Sequence, residues 1–489
     1  MSTLRNTRRV VFWSLLAIWL GTLIWQMRRP MPPGTDIETA SLTMPAAQIQ
    51  FLYDLTTRDA WGRPIVEQQI FDAIFSAIDQ AQRFIVLDFF LLNSDMGQTN
   101  ALQRPLSREL ADRLLARKRA VPQIQILLIT DPINDVYGGR PSLLLAELER
   151  AGIDVVRTDL TAMRDSNPLY SAAWRMLPQW LGNSAGGGWM PDPFSDHGKV
   201  TLRSWLALLN LKANHRKVLV ADNGHGDWLG IVTSANPHDA SSLHSNVALR
   251  FTGEIAASIL ESELKVAHFS GWQGTFEPGN RVASTVRSAE TIEVRYVTEH
   301  AIRHSLLDAI AITATQDRID MAMFYLSDRS IVDALCGAAG RGVHVRLILD
   351  PNKDAFGMQK DGVPNRPVAN ELTNCGGGNI VVRWYRTAGE QFHTKMTLVE
   401  RRDSLLASLG SANLTRRNIG NYNLEANLQI KTSRDSAIAE GMLGFFERLW
   451  NNDEANHIEY TAPFGAYRDE SELRYWRYRV MEATGLSSF

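Results

Sequence analysis

Two short stretches of the chain hold the residue types that could do chemistry. The first reads Asn214-His215-Arg216-Lys217-Val218-Leu219-Val220-Ala221-Asp222, followed by Thr233-Ser234-Ala235-Asn236. The second reads Phe392-His393-Thr394-Lys395-Met396-Thr397-Leu398-Val399-Glu400, followed by Gly410-Ser411-Ala412-Asn413. Both have the form H-x-K-x4-[D/E], with S-A-N at about the same distance downstream. Residues i and i+2 of a strand share a face, so each His stands beside its Lys. One imidazole can act as nucleophile and the other as general acid. Lys217 and Lys395 supply point charges for phosphoryl oxygens, and Asn236 and Asn413 supply neutral donors. That set suits displacement at a phosphodiester. The chain has 11 His and 53 acids, and only nine of its 51 basic residues are Lys, so one such motif arises by chance roughly 0.02 times in a chain of this composition.

The elements around the motifs repeat. In the first half, Val66, Ile70, Ile74 and Ile78 recur at helical spacing. A strand follows over 84–92, then a helix over 106–120 and a strand over 124–130 ending in Asp131-Pro132-Ile133-Asn134-Asp135. The second half has a helix around 302–311, a strand over 319–325, a helix over 331–339 and a strand over 343–349 ending in Asp350-Pro351-Asn352-Lys353-Asp354. Helices over 254–269 and 436–450 close the halves in the same way. Alternating elements of this kind predict an α/β sandwich built twice. The division is expected at 1–34 for an anchor and linker, 35–280 for the first half and 281–489 for the second, with the boundary inside Gly271–Ser288. The stretches 182–188 and 356–378 read as a Gly-rich break and a loop.

This constellation resembles the phospholipase D superfamily, marked by two HKD motifs, over roughly residues 50–455. The resemblance implies two α/β halves sharing one active site, a covalent phosphohistidine and no metal or other cofactor. It also implies that an acidic residue after the second motif orients a motif histidine. Glu425 fills that place, and Asn246 stands at the matching place in the first half. A carboxylate raises the pKa of a nearby imidazole and an amide does so much less. With Glu425 assigned to its own half, His393 becomes the general acid and His215 the nucleophile. Ser234 and Ser411 either donate hydrogen bonds or fill the strand ends. With Asn246 they are assigned to substrate binding. Asp222 and Glu400 are expected to be structural. His238 and His244 are candidates for lining the pocket, and His225 for a hairpin turn.

Val10 to Met27 is an uncharged run of 18 residues flanked by Arg5, Arg8 and Arg9 before and Arg28 and Arg29 after. It spans about 27 Å as a helix, close to a hydrocarbon core. No small-residue cleavage site follows, so it reads as a single-pass anchor rather than a signal peptide. The arginine balance puts the body outside the cytosol. With 489 residues, 45% hydrophobic and 21% charged, the chain is globular and multidomain. A net charge of −2 disfavours a nucleic-acid partner. Two cysteines exclude a disulfide scaffold and a four-cysteine zinc site, without deciding the redox compartment. The tryptophans Trp174, Trp180, Trp189 and Trp205 mark an insertion that suits either a lipid interface or a lid. The tail over 468–483 reads as a helix docked on the core, ahead of one lying on anionic lipid.

These features point to a bilayer-bound enzyme acting on phospholipids with water or an alcohol as acceptor, of phospholipase D type. Cardiolipin synthase proper and a superfamily nuclease are the alternatives. Both motifs are complete, which argues against a scaffold with a dead site.

Overall fold

The computed structural model describes residues 2–95, 102–184, 186–195, 198–282, 290–355 and 358–487. The expected boundary Gly271–Ser288 therefore lies partly outside the described residues, as do Ala185 and Phe356 of the two predicted breaks.

Seven strands form the frame of the first half. They are β1 (Ile49–Arg58), β2 (Phe84–Phe89), β3 (Gln125–Thr130), β4 (Asp154–Arg157), β5 (Lys217–Asp222), β6 (Trp228–Thr233) and β7 (Asn246–Thr252). Seven more frame the second half: β8 (Thr291–Thr298), β9 (Arg318–Met323), β10 (His344–Leu349), β11 (Ile380–Tyr385), β12 (Lys395–Glu400), β13 (Ser404–Gly410) and β14 (Ala426–Ser433). The spatial order β1-β7-β6-β5-β2-β3-β4 in one sheet recurs as β8-β14-β13-β12-β9-β10-β11 in the other. In both, the pairs after the central strand are parallel (β2 with β3, β9 with β10) and the rest of the motif region is antiparallel. The duplication is therefore one of topology as well as of motif.

The central strands are apolar on both faces because both faces are covered. Val218 and Val220 of β5 share one core with Met396 and Leu398 of β12, so the two sheets pack against each other. Leu219 and Ala221 point the other way, into a core formed with helix Ile70–Gln80 and helix Leu106–Ala120. Val399 likewise joins the core beneath helix Arg329–Gly340. The result is helices, sheet, sheet, helices, with each motif strand in the middle.

The edges depart from the sequence reading. Leu42–Pro45 pairs with β8, so a strand from the expected first half completes the sheet of the second. Val66 lies in the edge strand Pro64–Glu67 opposite Thr56, not in the helix. The helix starts at Ile70 because the Asp54 carboxylate accepts the main-chain N–H groups of Gln69 and Ile70 at 2.8 and 3.0 Å. The stretch read as a loop contains the helix Asn365–Cys375, whose Val368, Ala369 and Leu372 are buried and whose Pro367 sits in the first turn, where a missing N–H is tolerated. Its last residue, Cys375, is joined by a disulfide to Cys336, 39 residues earlier.

The amino-terminal helix Ser2–Arg28 contains one segment, Leu4–Arg28, long and apolar enough to cross a membrane. It is tied to the body. The Trp19 indole donates to the Leu169 carbonyl at 3.2 Å, and Arg29 donates to Thr161 at 2.9 Å. The insertion divides its tryptophans. Trp174 is buried, Trp205 donates to the Pro191 carbonyl, and Trp180 and Trp189 are exposed. The tail forms the helix Glu472–Thr484, docked through buried Tyr478.

Candidate active site

The two halves present their histidines to each other. Asn214 and Leu424 form one parallel bridge between the halves, and Ser245 and Phe392 form a second. Each bridge lies next to a motif histidine. The Asp-Pro turns of the repeat fix these segments. Asp131 accepts the main-chain N–H of Asn214 at 2.7 Å, and Asp350 that of Phe392 at 2.8 Å. The residue before each histidine is thus held by the equivalent aspartate. The imidazole rings end with centroids 6.5 Å apart.

The orienting residues cross between the halves, which corrects the expected pairing. Glu425 holds His215, not His393, with Nδ1 at 2.8 and 3.0 Å from its two oxygens. Asn246 holds His393, with Oδ1 at 3.1 Å from Nδ1. The Asn246 amide nitrogen donates to the His244 carbonyl at 3.0 Å, so its oxygen faces His393 and that Nδ1 is the donor. The crossing follows from the bridges: Leu424 lies against Asn214, so Glu425 reaches the first motif. A main-chain hydrogen bond with Ser411 also acts on His215, raising its pKa against the effect of burial.

Ser234 and Ser411, expected as substrate contacts together with Asn246, are used differently. Ser234 donates to Asn246 at 2.9 Å, and Ser411 donates to Glu425. Asn418 also donates to Glu425. All three expected substrate contacts therefore support the histidines. Lys217 and Lys395 each donate to the carbonyl of their own histidine, at 2.7 and 2.8 Å, which leaves further ammonium protons for a ligand. Asn236 accepts weakly from the Leu91 N–H at 3.4 Å. The Asn413 side-chain oxygen is buried without a partner. Asp222 accepts the N–H groups of Gln82, Arg83 and Phe84 and so pins the start of β2. Glu400 is paired with Arg318 and Arg434 at the far end of β12.

Burial dominates the electrostatics. It pushes Lys217 down to about 7 and Lys395 well below its usual value. Burial, then Lys217 and Lys395, hold His215 well down, while burial, then Lys395 and His244, do so for His393. Burial raises Glu425 to about 8, against the pull of Lys217. A buried site with this many basic groups is built to gain an anion, whose charge would restore their protonated forms.

Three neighbours were not singled out from sequence. Phe90 lies 5.1 Å from the His215 ring with the Lys217 ammonium 5.5 Å over its face, and Phe324 lies 5.1 Å from His393 with Lys395 5.1 Å over it. Both directly follow equivalent strands, so aligning the halves would have found them. Arg417, largely buried, donates to the Ser487 carbonyl at 3.0 Å, has a buried Nε without a partner, and acts on His215 through its charge. Of the other histidines, His244 lies 5.9 Å from the His393 ring, whereas His238 is bonded to Ser241 and Asp95. His225 is exposed in the turn joining β5 and β6. Among the described residues, no group of three or more His, Cys, Asp or Glu is arranged to hold a metal ion.

Fold and site together define a class: a duplicated α/β protein whose halves meet at one pair of histidines. Residues 309–450 match the family model described as "Cardiolipin synthase, PLD-like domain". Cardiolipin synthase A of Yersinia pestis and that of Yersinia pseudotuberculosis serotype O:3 (strain YPIII) are each 24% identical over 235 residues, 44% of this chain and 44% of theirs. The chain therefore matches less than half the length of these curated relatives. The phosphatidylserine synthase structure from Haemophilus influenzae Rd KW20 has the same fold, with a TM-score of 0.53 at 12% identity over 91% of this chain and 96% of that one. The family match and the shared fold support the resemblance to the phospholipase D superfamily that the two motifs carry.

Proposed function

We propose that the protein is a membrane-anchored phosphatidyl-transfer enzyme working through a phosphohistidine. The observation that carries this reading is the pair of facing imidazoles, each held at Nδ1 by a residue of the other half, between two lysines. Glu425 accepts Nδ1–H of His215, which leaves a lone pair at Nε2 and offsets the positive charge that grows when nitrogen bonds to phosphorus. His215 is therefore the nucleophile, on grounds opposite to the sequence argument. The P–O bond to the leaving alcohol breaks as His393 donates its Nε2 proton to that oxygen. His393 then takes a proton from the acceptor hydroxyl, whose oxygen attacks phosphorus, and the P–N bond breaks. Lys217, Lys395, Asn236 and Asn413 hold the phosphoryl oxygens throughout.

The acceptor decides the product. Water yields phosphatidic acid, and an alcohol yields a new phosphatidyl ester. Transfer to the glycerol hydroxyl of a second lipid, as in cardiolipin synthesis, is supported equally by the family match over residues 309–450. The test is mass spectrometry of lipid products from the full chain and its His215→Ala variant, with and without glycerol and with a chelator present. Phosphatidic acid, cardiolipin or a phosphatidyl-alcohol made only by the intact protein supports the reading. No lipid turnover, with single-stranded DNA cleaved in parallel, overturns it in favour of a nuclease.

A second expected result concerns pH. The reaction needs Glu425 ionised and Lys217 protonated, and in the free protein these groups sit at about 8 and about 7. Lowering the pH returns a proton to Glu425, and raising it removes one from Lys217. The profile of kcat/KM is therefore a narrow bell centred between those values, belonging to the coupled pair. Glu425→Gln removes the acid limb, and Lys217→Arg shifts the basic limb, to which Lys395 also contributes. A flat profile from pH 6 to 9 contradicts the assignment.

The body is assigned to the extracytoplasmic side. Three arginines and the amino terminus precede the apolar run and two arginines follow it. The Cys336–Cys375 disulfide suits an oxidising compartment. Protein extracted without reductant is expected to resist alkylation at both cysteines until it is reduced. Immediate alkylation of both thiols points to the cytosolic side. Removing the disulfide is expected to cost about 2–4 kcal/mol of stability in chemical denaturation.

A further inference from the structure

A cleft of about 630 Å³ opens beside the anchor, and none of the motif histidines or lysines lines it. Five arginines do: Arg164, Arg303, Arg329, Arg416 and Arg479. Two of them are already neutralised. Arg329 pairs with Glu371 and Asp333, and Arg303 lies 3.4 Å from Asp328. The other three have no carboxylate partner among the described residues. Arg164 donates to the Arg29 carbonyl, Arg416 to the Tyr422 hydroxyl and Arg479 to the Tyr475 hydroxyl. The remaining acid of the wall, Glu482, already accepts the main-chain N–H of Arg416, and burial raises it to about 7, so it offsets these cations only in part. Guanidinium groups gathered around a concavity without counter-charge form an anion site, and their donors suit the oxygens of a phosphate.

The position of the cleft identifies the anion. Arg164 is bonded to the main chain of Arg29, the residue after the apolar helix, so the cleft lies at the level where that helix would leave a membrane. The rim is apolar and open. Trp476 and Val480 border the cleft and are 60% and 55% exposed, and Leu473, one turn earlier on the same helix face, is 80% exposed. On the other side of the anchor contact, helix Pro168–Met176 lies against Trp19, nine residues or about 14 Å before Arg28 along the helix. Its neighbours Leu177 and Trp180 are exposed. A basic pocket with apolar rims at interfacial depth matches a lipid headgroup with its chains still in the bilayer.

We propose that this cleft holds the phosphate of an anionic phospholipid that is not itself the reacting lipid. The proposal rests on reading Leu4–Arg28 as a membrane span. The bound lipid adds a second attachment beside the anchor and fixes the tilt of the body on the membrane. Arg416 and Asn421 line the cleft and lie in the short segment that leads to Glu425, so the ligand also braces the segment that orients His215.

The test uses the full chain in detergent micelles in a His215→Ala background, so that no lipid is turned over. Native mass spectrometry counts the phosphatidylglycerol molecules retained per chain. Arg164→Gln combined with Arg479→Gln is expected to lose one retained lipid, with at least about tenfold weaker binding at that site. Ser330→Glu is expected to do the same. It places a carboxylate in the cleft from the exposed first turn of helix Arg329–Gly340, where an acid does not harm folding. Equal retention in both variants overturns the proposal, as does equal retention of phosphatidylcholine by the parent. Displacement of the lipid by glycerol 3-phosphate as readily as by phosphatidylglycerol assigns the cleft to a soluble phosphate instead. Alkaline extraction of membranes, which leaves only inserted chains behind, reads the anchor separately from the cleft.

Discussion

Replacing His215 by alanine is expected to lower turnover by on the order of 10⁴-fold or more, because the proposed phosphoryl intermediate forms on its imidazole. His393→Ala is expected to be equally slow on a natural lipid, so the two roles must be separated by the leaving group. A phosphatidyl ester of p-nitrophenol leaves without protonation. With that substrate, His393→Ala should release one equivalent of p-nitrophenol in a burst and stop, with the phosphatidyl group on His215. The His215→Ala variant should show no burst. A burst from His215→Ala and none from His393→Ala reverses the roles and with them the argument from Glu425.

The second large effect is on stability. Arg216 lies between the motif residues His215 and Lys217, yet its side chain faces away from the site and is wholly buried. It is 3.1 Å from Glu263 and 2.9 Å from Glu299, and it donates to the Gly34 carbonyl and the Ser262 hydroxyl. One guanidinium thus joins the first half, the second half and the linker after the anchor. Glu299 in turn accepts the main-chain N–H of Glu425. Asp88, bonded to Asn214, is held well above the usual carboxylate range by burial and by Glu263, so removing the cation leaves several acids with nothing opposite them. Arg216→Met is expected to cost about 3–5 kcal/mol, measured by chemical denaturation of the full chain in detergent. A loss below about 1 kcal/mol means that the network contributes little beyond its own desolvation cost.

The parts of this architecture that were readable from the chain are those carried by local pattern. The motif strands, the helices Leu106–Ala120 and Glu254–Phe269, and the order of elements in each half follow from apolar spacing and turn residues. The doubled motif carried the resemblance. The misreadings share a cause: each depends on which residues are neighbours in space. Val66 fits the helical period of Ile70, Ile74 and Ile78, but a carboxylate from β1 sets the helix start. Residues 356–378 looked like a loop because Gly and Pro flank a helix whose apolar face is short. Glu425 follows Asn413 closely in sequence, and only the bridge between Asn214 and Leu424 reveals that it serves the other half. Arg417 is one of two adjacent arginines in an exposed-looking segment. Nothing local distinguishes it from Arg416, which lines the anchor-side cleft instead.

The exchange of orienting residues between the halves has an evolutionary consequence. In a duplicated protein, identical copies would make identical histidines, and a reaction that needs a nucleophile and an acid would have two of each. Here each copy supplies the residue that sets the chemistry of the other. A change from carboxylate to amide at position 246 alters His393 while leaving the first copy's own histidine untouched. Division of labour can therefore arise through one substitution outside either motif. Neither half can specialise without its partner, and once specialised the two can no longer be separated into independent enzymes.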